Sequence, residues 1–313
     1  MLFLAKFLRM SLLTVGTMAI DSIETPFGSA DQIVGGSCQY ISYAAAYFID
    51  RINLVAVAGD DFPQNELTDL QKRGVSLEGL KILQGEKSFY WAGRYHDNMN
   101  DRDTLVTDLN VLAEFDPVLP DSYKDSPFVL LGNLTPDIQI RVIEQMRTKP
   151  KLVVLDTMNY WIENTWQDLA KAISLCNVLT INDEEARMIS GKHSLVKAAA
   201  DILELGPTYL IIKKGEHGAL LFDKNNVFFA PALPLENVVD PTGAGDTFAG
   251  GLLGYLAKTG DVSFENIKRG LIYGSAMASF VVEDFGNRRL KSLTSQEIED
   301  RIAKFIRLTH FEL

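Results

Sequence analysis

The sequence predicts an α/β fold of three layers, α/β/α, with a mostly parallel central sheet and a small accessory β-sheet. Three observations carry this expectation. Short apolar, β-branched runs alternate with segments of helical spacing, the pattern of a parallel sheet covered by helices on both faces. The stretch from 88 to 108 instead alternates apolar and polar residues, as an exposed hairpin does. A glycine-rich run at 240–246 opens an apolar helix late in the chain. A length of 313 residues is within reach of one α/β domain, expected here over residues 10–313.

In chain order, residues 11–16 form a short apolar run ended by a glycine, as expected of a buried parallel strand, with Asp21 just beyond its C-terminal end. Gly35 and Gly36 precede an alanine-rich helix over 42–49, and 53–59 reads as the next strand. The pattern recurs with a helix at 64–73, a strand at 128–132, a helix at 137–148 and a strand at 151–156. Strands at 178–181 and 209–213 enclose helices at 183–189 and 195–205. Between these units, 88–95 and 103–108 are joined by a polar turn, residues 96–102, and form a hairpin. Ligands of open α/β sheets bind beyond the C-terminal strand edges, so segments near 22–36 and 86–108 are expected to act as a lid.

Composition narrows the class. A formal charge of −11 repels a phosphate backbone, which argues against nucleic acid and for a small-molecule partner. Two cysteines, Cys38 and Cys176, are too few for a disulfide framework and fit a cytoplasmic protein. His96, His193, His217 and His310 show no ligand spacing. The apolar start is short and broken by Lys6 and Arg9, so residues 1–9 read as an N-terminal extension. No later stretch reaches the roughly 18 apolar residues that span a bilayer, and no membrane partner is expected.

The chemistry concentrates in Asp240-Pro-Thr-Gly-Ala-Gly-Asp246. The first amides of a helix lack intrahelical partners and point along its positive dipole end, and Gly243 and Gly245 let a phosphoryl group approach the backbone. A carboxylate at Asp246, in the first turn, is stabilised there and can accept a proton from an alcohol beside the phosphate. The plainer reading is a tight loop with Asp246 as a cap. The run is not a P-loop, because no Gly-Lys-Ser/Thr ending is present, and no dinucleotide fingerprint follows the first strand.

The segment from Asp240 to Gly251 resembles the C-terminal signature of the ribokinase/PfkB family of carbohydrate and nucleoside kinases. The resemblance extends from about residue 10 to about 289 through Gly35-Gly36, Gly59-Asp-Asp-Phe62, Asn182 with Glu185, and Lys214-Gly-Glu-His-Gly218. It implies a ribokinase-like fold, ATP as phosphate donor, Mg²⁺, and a hydroxyl of a sugar or nucleoside, primary by expectation, as acceptor. Asp246 would be the general base, and the amides of Gly243, Ala244 and Gly245 an anion hole. Asn182 and Glu185 would hold the nucleotide, Glu185 reaching Mg²⁺ through water, although the same pair reads equally as a helix capping box.

Further implied nucleotide contacts are Thr242, Gly215, Gly218 and Gly274, with Lys213 beside them where many relatives carry an uncharged residue. Gly274 and its small neighbours also suit close helix packing, and lysines of this kind are ordinarily solvated. Asp21, Gly35, Gly36 and Tyr40 fall on the substrate side, Asp21 as an acceptor-only group suited to a polyol or ribose. Tyr40 replaces the family's asparagine; with Phe89, Tyr90 and Trp91 it points to a nucleoside or another flat substrate. Some relatives bind a monovalent cation near residues matching Asp240 and the loop after Val282, and lid strands of some pair into a homodimer. The alternative is a regulatory module that binds nucleotide without catalysis.

Overall fold

The central sheet grows from strands that are apolar on both faces, because helices cover both. The structure is a computed structural model that describes residues 10–310; the expected extension at 1–9 lies outside the described residues. The N-terminal part runs β1 (Leu12–Val15), β2 (Ala19–Thr25), β3 (Gly28–Gly35), α1 (Ser37–Ala45), β4 (Ile52–Gly59), α2 (Gln64–Lys72) and β5 (Val75–Leu83). The hairpin β6 (Phe89–Tyr95) and β7 (Arg102–Asp108) follows. The middle alternates β8 (Phe128–Leu131), α3 (Pro136–Glu144), β9 (Leu152–Asp156), α4 (Asn159–Asn164), α5 (Trp166–Leu175), β10 (Val178–Asn182), α6 (Asp183–Ser190), α7 (Leu195–Leu203) and β11 (Tyr209–Lys213). The chain closes with β12 (Ala219–Phe222), β13 (Val227–Ala230), α8 (Ala244–Thr259), α9 (Phe264–Val281), α10 (Arg288–Ser292) and α11 (Ser295–Thr309).

Nine strands form the main sheet in the order β13-β12-β11-β10-β9-β8-β1-β4-β5. Every neighbouring pair from β11 to β5 is parallel, and β12 and β13 add an antiparallel edge. The two-residue period of a strand sends alternate side chains to opposite cores. Leu12, Val154 and Ile211 join the core that contains α1, α8 and α9, whereas Leu13, Val153 and Ile212 join the one lined by α3, α5 and α7. A second sheet, β3-β2-β6-β7, unites both segments expected to form a lid. It rests on a small cluster of its own, with Ile23, Ala30, Tyr95 and Phe285 buried together. No helix among the described residues is long and apolar enough to cross a membrane.

Several boundaries depart from the sequence reading. Asp21 is not in a loop but is the third residue of β2. The helix expected at 42–49 starts at Ser37, directly after Gly36 (φ 91°) turns the chain out of β3. Thr17 makes this early start possible: its hydroxyl accepts the Ser37 amide (2.9 Å) and its carbonyl the Cys38 amide (3.0 Å), satisfying the orphan donors of the helix end. The helix expected to reach residue 148 stops at Glu144, ahead of Lys149-Pro150, where proline disfavours helical geometry in the preceding residue. β2, β3, β5, β12 and β13 were not anticipated as strands. β2, β3 and β5 have mixed burial and carry no apolar run, whereas β12 and β13 are apolar runs of only four residues at the antiparallel edge of the sheet.

A Cβ at Gly36 would fall 2.5 Å from the Thr17 carbonyl oxygen at a φ that L-residues avoid. We expect Gly36→Ala to lower unfolding stability by about 1–3 kcal/mol in a urea titration.

Candidate active site

The glycine run occupies the turn into α8, at the C-terminal edge of the parallel strands. Gly243 is the N-cap in the left-handed region (φ 75°), and Asp246 lies in the first turn of the helix. The residue before α8 must be glycine for a second reason: a Cβ at Gly243 would stand 2.5 Å from three ring carbons of Tyr40, which rises from α1 beneath it. The Ala244 amide, one of the three expected in an anion hole, donates to the Pro241 carbonyl at 3.2 Å. Further along α8, Gly250 and Gly254 press against the backbone of Ile41 and Ala45, so the helix bearing Asp246 is seated on α1 with little play.

Carboxylates surround this turn. Asp246 is pushed up to about 7, first by burial and then by the nearby Asp156, with the Lys213 charge acting in the opposite sense. Asp21 projects from β2, its carboxylate so close to Gly35 that a Cβ there would lie 1.8 Å from Oδ2. Burial, then the charges of Asp240 and Asp246, push Asp21 up to about 8. Asp240 is fully buried; its Oδ1 accepts the Thr242 amide (2.8 Å) and its Oδ2 the Gly286 amide (3.0 Å). The glycine run and the loop after α9 are thereby tied to one carboxylate. Thr242 also donates its hydroxyl to Tyr95 Oη at 3.2 Å, linking the run to β6 of the small sheet.

Where β10 passes into α6, Asn182 and Glu185 form a full capping box, each accepting the other's amide at 2.8 Å. Burial pushes Glu185 up to about 7, with Lys213 opposing and Asp156 adding to the rise. Lys213 is not a solvated lysine: its Nζ donates to Asp156 Oδ1 at 2.8 Å and lies 3.2 Å from where a Gly245 Cβ would be. Burial disfavours its charge, but Asp156, Glu185 and Asp246 outweigh that and raise its pKa, so it stays a cation. Gly215 (φ 54°) lies against Asn100 Oδ1, from the turn between β6 and β7, and Gly218 (φ 82°) backs onto Ala230. Gly274 sits in the seam between α8 and α9, where a Cβ would be 2.7 Å from the Phe248 carbonyl oxygen. Its position is one of helix packing.

A family profile described as pfkB family carbohydrate kinase matches residues 11–292. The chain belongs to this family. As a pfkB-family protein it is an enzyme, a small-molecule kinase. It is 31% identical over 250 residues to a cytidine kinase of Thermococcus kodakarensis, covering 78% of this chain and 87% of that one. A nucleoside kinase of Methanothermobacter thermautotrophicus is 25% identical over 272 residues, 81% of this chain and 80% of that protein. Among solved structures, the Methanocaldococcus jannaschii nucleoside kinase, an archaeal member of the ribokinase family, superposes with a TM-score of 0.75. That match spans 94% of this chain and 98% of the other at 21% identity, a likeness of fold.

Within this pfkB fold, the sequence reading passed over some residues that the structure brings to the site. Asp156, which the sequence places at a strand end on the active edge with a plain loop as the simpler reading, anchors Lys213 and accepts the Thr180 hydroxyl at 3.0 Å. Gln139, buried in α3, donates to the carbonyls of Gly132 (3.0 Å) and Asp156 (2.9 Å), holding the ends of β8 and β9 together. Nothing in a single sequence marks such a glutamine. Arg102, at the start of β7, brings a positive charge that acts on both Glu185 and Tyr95. Its position after a run of polar turn residues gave no sign of this.

The raised carboxyls fix a pH dependence of stability. A group whose folded pKa lies near 8, against an ordinary 3.8, stabilises the fold while protonated, and that contribution is lost as pH rises through the folded value. Asp246 acts in the same sense through about 7. We expect the ligand-free Tm to fall between about pH 4 and 8, where the unfolded carboxyl has ionised and the folded one has not, and to level off above that; Asp21→Asn should flatten the fall, as read by differential scanning calorimetry.

Proposed function

We propose that the chain transfers the γ-phosphate of ATP to a primary hydroxyl of a ribonucleoside, with Asp246 as general base. The observation that carries this reading is the position of Asp246 at the N-terminus of α8, one turn from the left-handed Gly243 and beside the Lys213 cation. The acceptor hydroxyl gives its proton to the Asp246 carboxylate as its oxygen bonds to the γ-phosphorus. The bond to the β,γ-bridging oxygen breaks, and ADP leaves with that electron pair. Little covalent work falls on the protein, so positioning and charge compensation supply the rate.

The Gly243 and Gly245 amides and the positive end of the α8 dipole face the phosphoryl oxygens in this reading, while the Ala244 amide is engaged by the Pro241 carbonyl. Lys213 supplies a full positive charge next to Gly245, and Arg102 brings another from the small sheet. The small sheet then acts as a lid, its turn at Asn100 meeting the nucleotide-side loop at Gly215 and its Tyr95 meeting Thr242. Asp21 takes the non-reacting hydroxyls; a carboxyl raised to about 8 can both donate and accept, as the hydroxyls of a diol do.

Mg²⁺ accompanies nucleotide phosphates and keeps much of its water shell. The residues fit such a hydrated ion. Glu185 spends Oε2 on its capping box and keeps Oε1 for a bound water, and no cluster of three metal-ligating side chains occurs among the described residues. When bound, the ion would neutralise β- and γ-phosphate charge. A ribonucleoside acceptor is favoured over a simple sugar by the two long matches to a cytidine kinase and a nucleoside kinase.

The test is ADP release in a panel of cytidine, inosine, adenosine, ribose and fructose. We expect turnover with a ribonucleoside, and Asp246→Asn to lower kcat by about 10²–10⁴-fold while ATP affinity is retained. Near-normal turnover by that variant would sink the assignment, and ATP binding without turnover of any acceptor would favour a regulatory module. In the wild type, kcat/KM for the acceptor should rise with pH through about 7, as Asp246 ionises. Lys213→Met removes the cation that lowers Asp246, so that inflection should move to higher pH, with kcat lower by about 10²-fold.

A further inference from the structure

Phe285 belongs by its backbone to the main body of the protein, yet its ring is buried in the core of the small sheet. It sits in the turn 282–287 between α9 and α10, and that turn is clamped to the main body on both sides. On one side, the two oxygens of Glu283 accept Arg301 from α11 (2.7 Å) and Arg289 (3.1 Å). On the other, the Leu290 and Leu293 carbonyls accept the Tyr47 hydroxyl, the second at 3.1 Å, and the Lys291 carbonyl accepts Arg73 at 2.9 Å. Lys291 itself pairs with Glu66, buried on α2. The turn is therefore placed by helices and not by the small sheet.

From this fixed turn the Phe285 ring joins Ile23, Ala30 and Tyr95, which come from β2, β3 and β6. Its edge lies 3.6 Å from where a Gly28 Cβ would be, at the start of β3. Gly286 meets the far end of the same strand: a Cβ there would stand 3.0 Å from Ile33 Cδ1 and 3.6 Å from the Val34 carbonyl oxygen. Two consecutive residues thus grip β3 at both ends. The same turn also holds the glycine run. The Gly286 amide donates to Asp240 Oδ2 at 3.0 Å, the Val282 carbonyl accepts the Val239 amide at 2.8 Å, and Val239 packs on the Phe285 cluster. Asp240 in turn accepts the Thr242 amide at 2.8 Å, one residue before Gly243. A core phenylalanine ordinarily stabilises one body. This ring fills the core of one body from the backbone of another, and close-packed interiors transmit a displacement instead of absorbing it.

We propose that Phe285 is a positioning residue: it seats the small sheet on the main body and, through the Gly286 amide and Asp240, sets the glycine run that carries Asp246. Its kinetic consequence rests on the reading of Asp246 as base and a ribonucleoside as acceptor, whereas the mechanical link is a property of the free protein. Without the ring, β3 and the turn shift towards the space it leaves. A base misplaced by about 1 Å costs on the order of a hundredfold in rate.

The experiment compares the wild type with Phe285→Ala, Phe285→Leu and Phe305→Ala, the last removing a ring buried on α11 outside this cluster. Hydrogen exchange of the ligand-free protein should show the Thr242 and Gly286 amides of Phe285→Ala exchanging about tenfold faster or more, with the amides of β8 changing less. In Phe305→Ala the Thr242 and Gly286 amides should change no more than those of β8. With a ribonucleoside as acceptor and below the Tm of every variant, Phe285→Ala should lower kcat by about ten- to a hundredfold and leave the KM for ATP unchanged. Phe285→Leu, which keeps most of the apolar volume, should show both changes at smaller size and reads the link even where the alanine variant does not fold. Unchanged exchange at Thr242 and Gly286 in both Phe285 variants overturns the proposal. So does a kcat equal to that of the wild type in both, or a loss of kcat in Phe305→Ala as large as in Phe285→Ala. A wild type that turns over none of cytidine, inosine and adenosine overturns the acceptor reading instead, and the exchange rates then decide the role of Phe285 by themselves.

Discussion

Lys213 balances the charge of Asp156, Glu185 and Asp246, and the rest of the site is arranged around that balance. Three carboxylates gathered at the ends of β9 and β10 and at the start of α8 would repel one another in a buried setting. One ammonium, bonded to Asp156 at 2.8 Å and close to Gly245, holds them together. The compensation is incomplete, since Asp246 and Glu185 both remain near 7. A carboxyl at that point can hold or release a proton near neutrality, whereas an ordinary aspartate could not serve as a reservoir there.

The other acids are handled by different means. Asp240 is satisfied by two backbone amides and works as a brace between the glycine run and the loop after α9. Asp21 has no such partners among the described residues and is raised to about 8, above Asp246 and Glu185. Removing one donor or charge from such a network changes its neighbours, so individual contributions are read best from pairs of substitutions. The small sheet meets the same network through Tyr95 at Thr242, Asn100 at Gly215 and the cluster around Phe285, and its Ile20 and Val34 pack on the core that contains α1, while β7 is exposed along its whole length.

Much of the scaffold was legible in the chain. Buried parallel strands are apolar on both faces and short, so β1, β4, β8, β9, β10 and β11 stand out as runs, and their glycine and asparagine punctuation marks the ends. The hairpin of β6 and β7 was equally visible from its alternation. Strands whose exposure is mixed, such as β2, β3 and β5, carry no such pattern because their partners, rather than their own residues, define which face is covered. For the same reason the start of α1 was misplaced: it depends on Thr17, twenty residues earlier, accepting the helix's first amides.

What the sequence determined by itself was local chemistry: a glycine run that must open a helix, a carboxylate in its first turn, and a capping box in which Asn182 and Glu185 lie three residues apart. These depend on neighbours along the chain, and so they can be read from spacing. The tertiary structure alone decided the charge balance and the packing. Asp156 and Lys213 are 57 residues apart, Thr242 and Tyr95 147, and Gln139 bridges two strand ends from a helix. Only the fold turned Tyr40 from an aromatic replacement on a helix into a buried, unpaired donor beneath Gly243. Proton affinities and hydrogen-bond satisfaction are set by what surrounds a group in space, and that surrounding is assembled from distant parts of the chain.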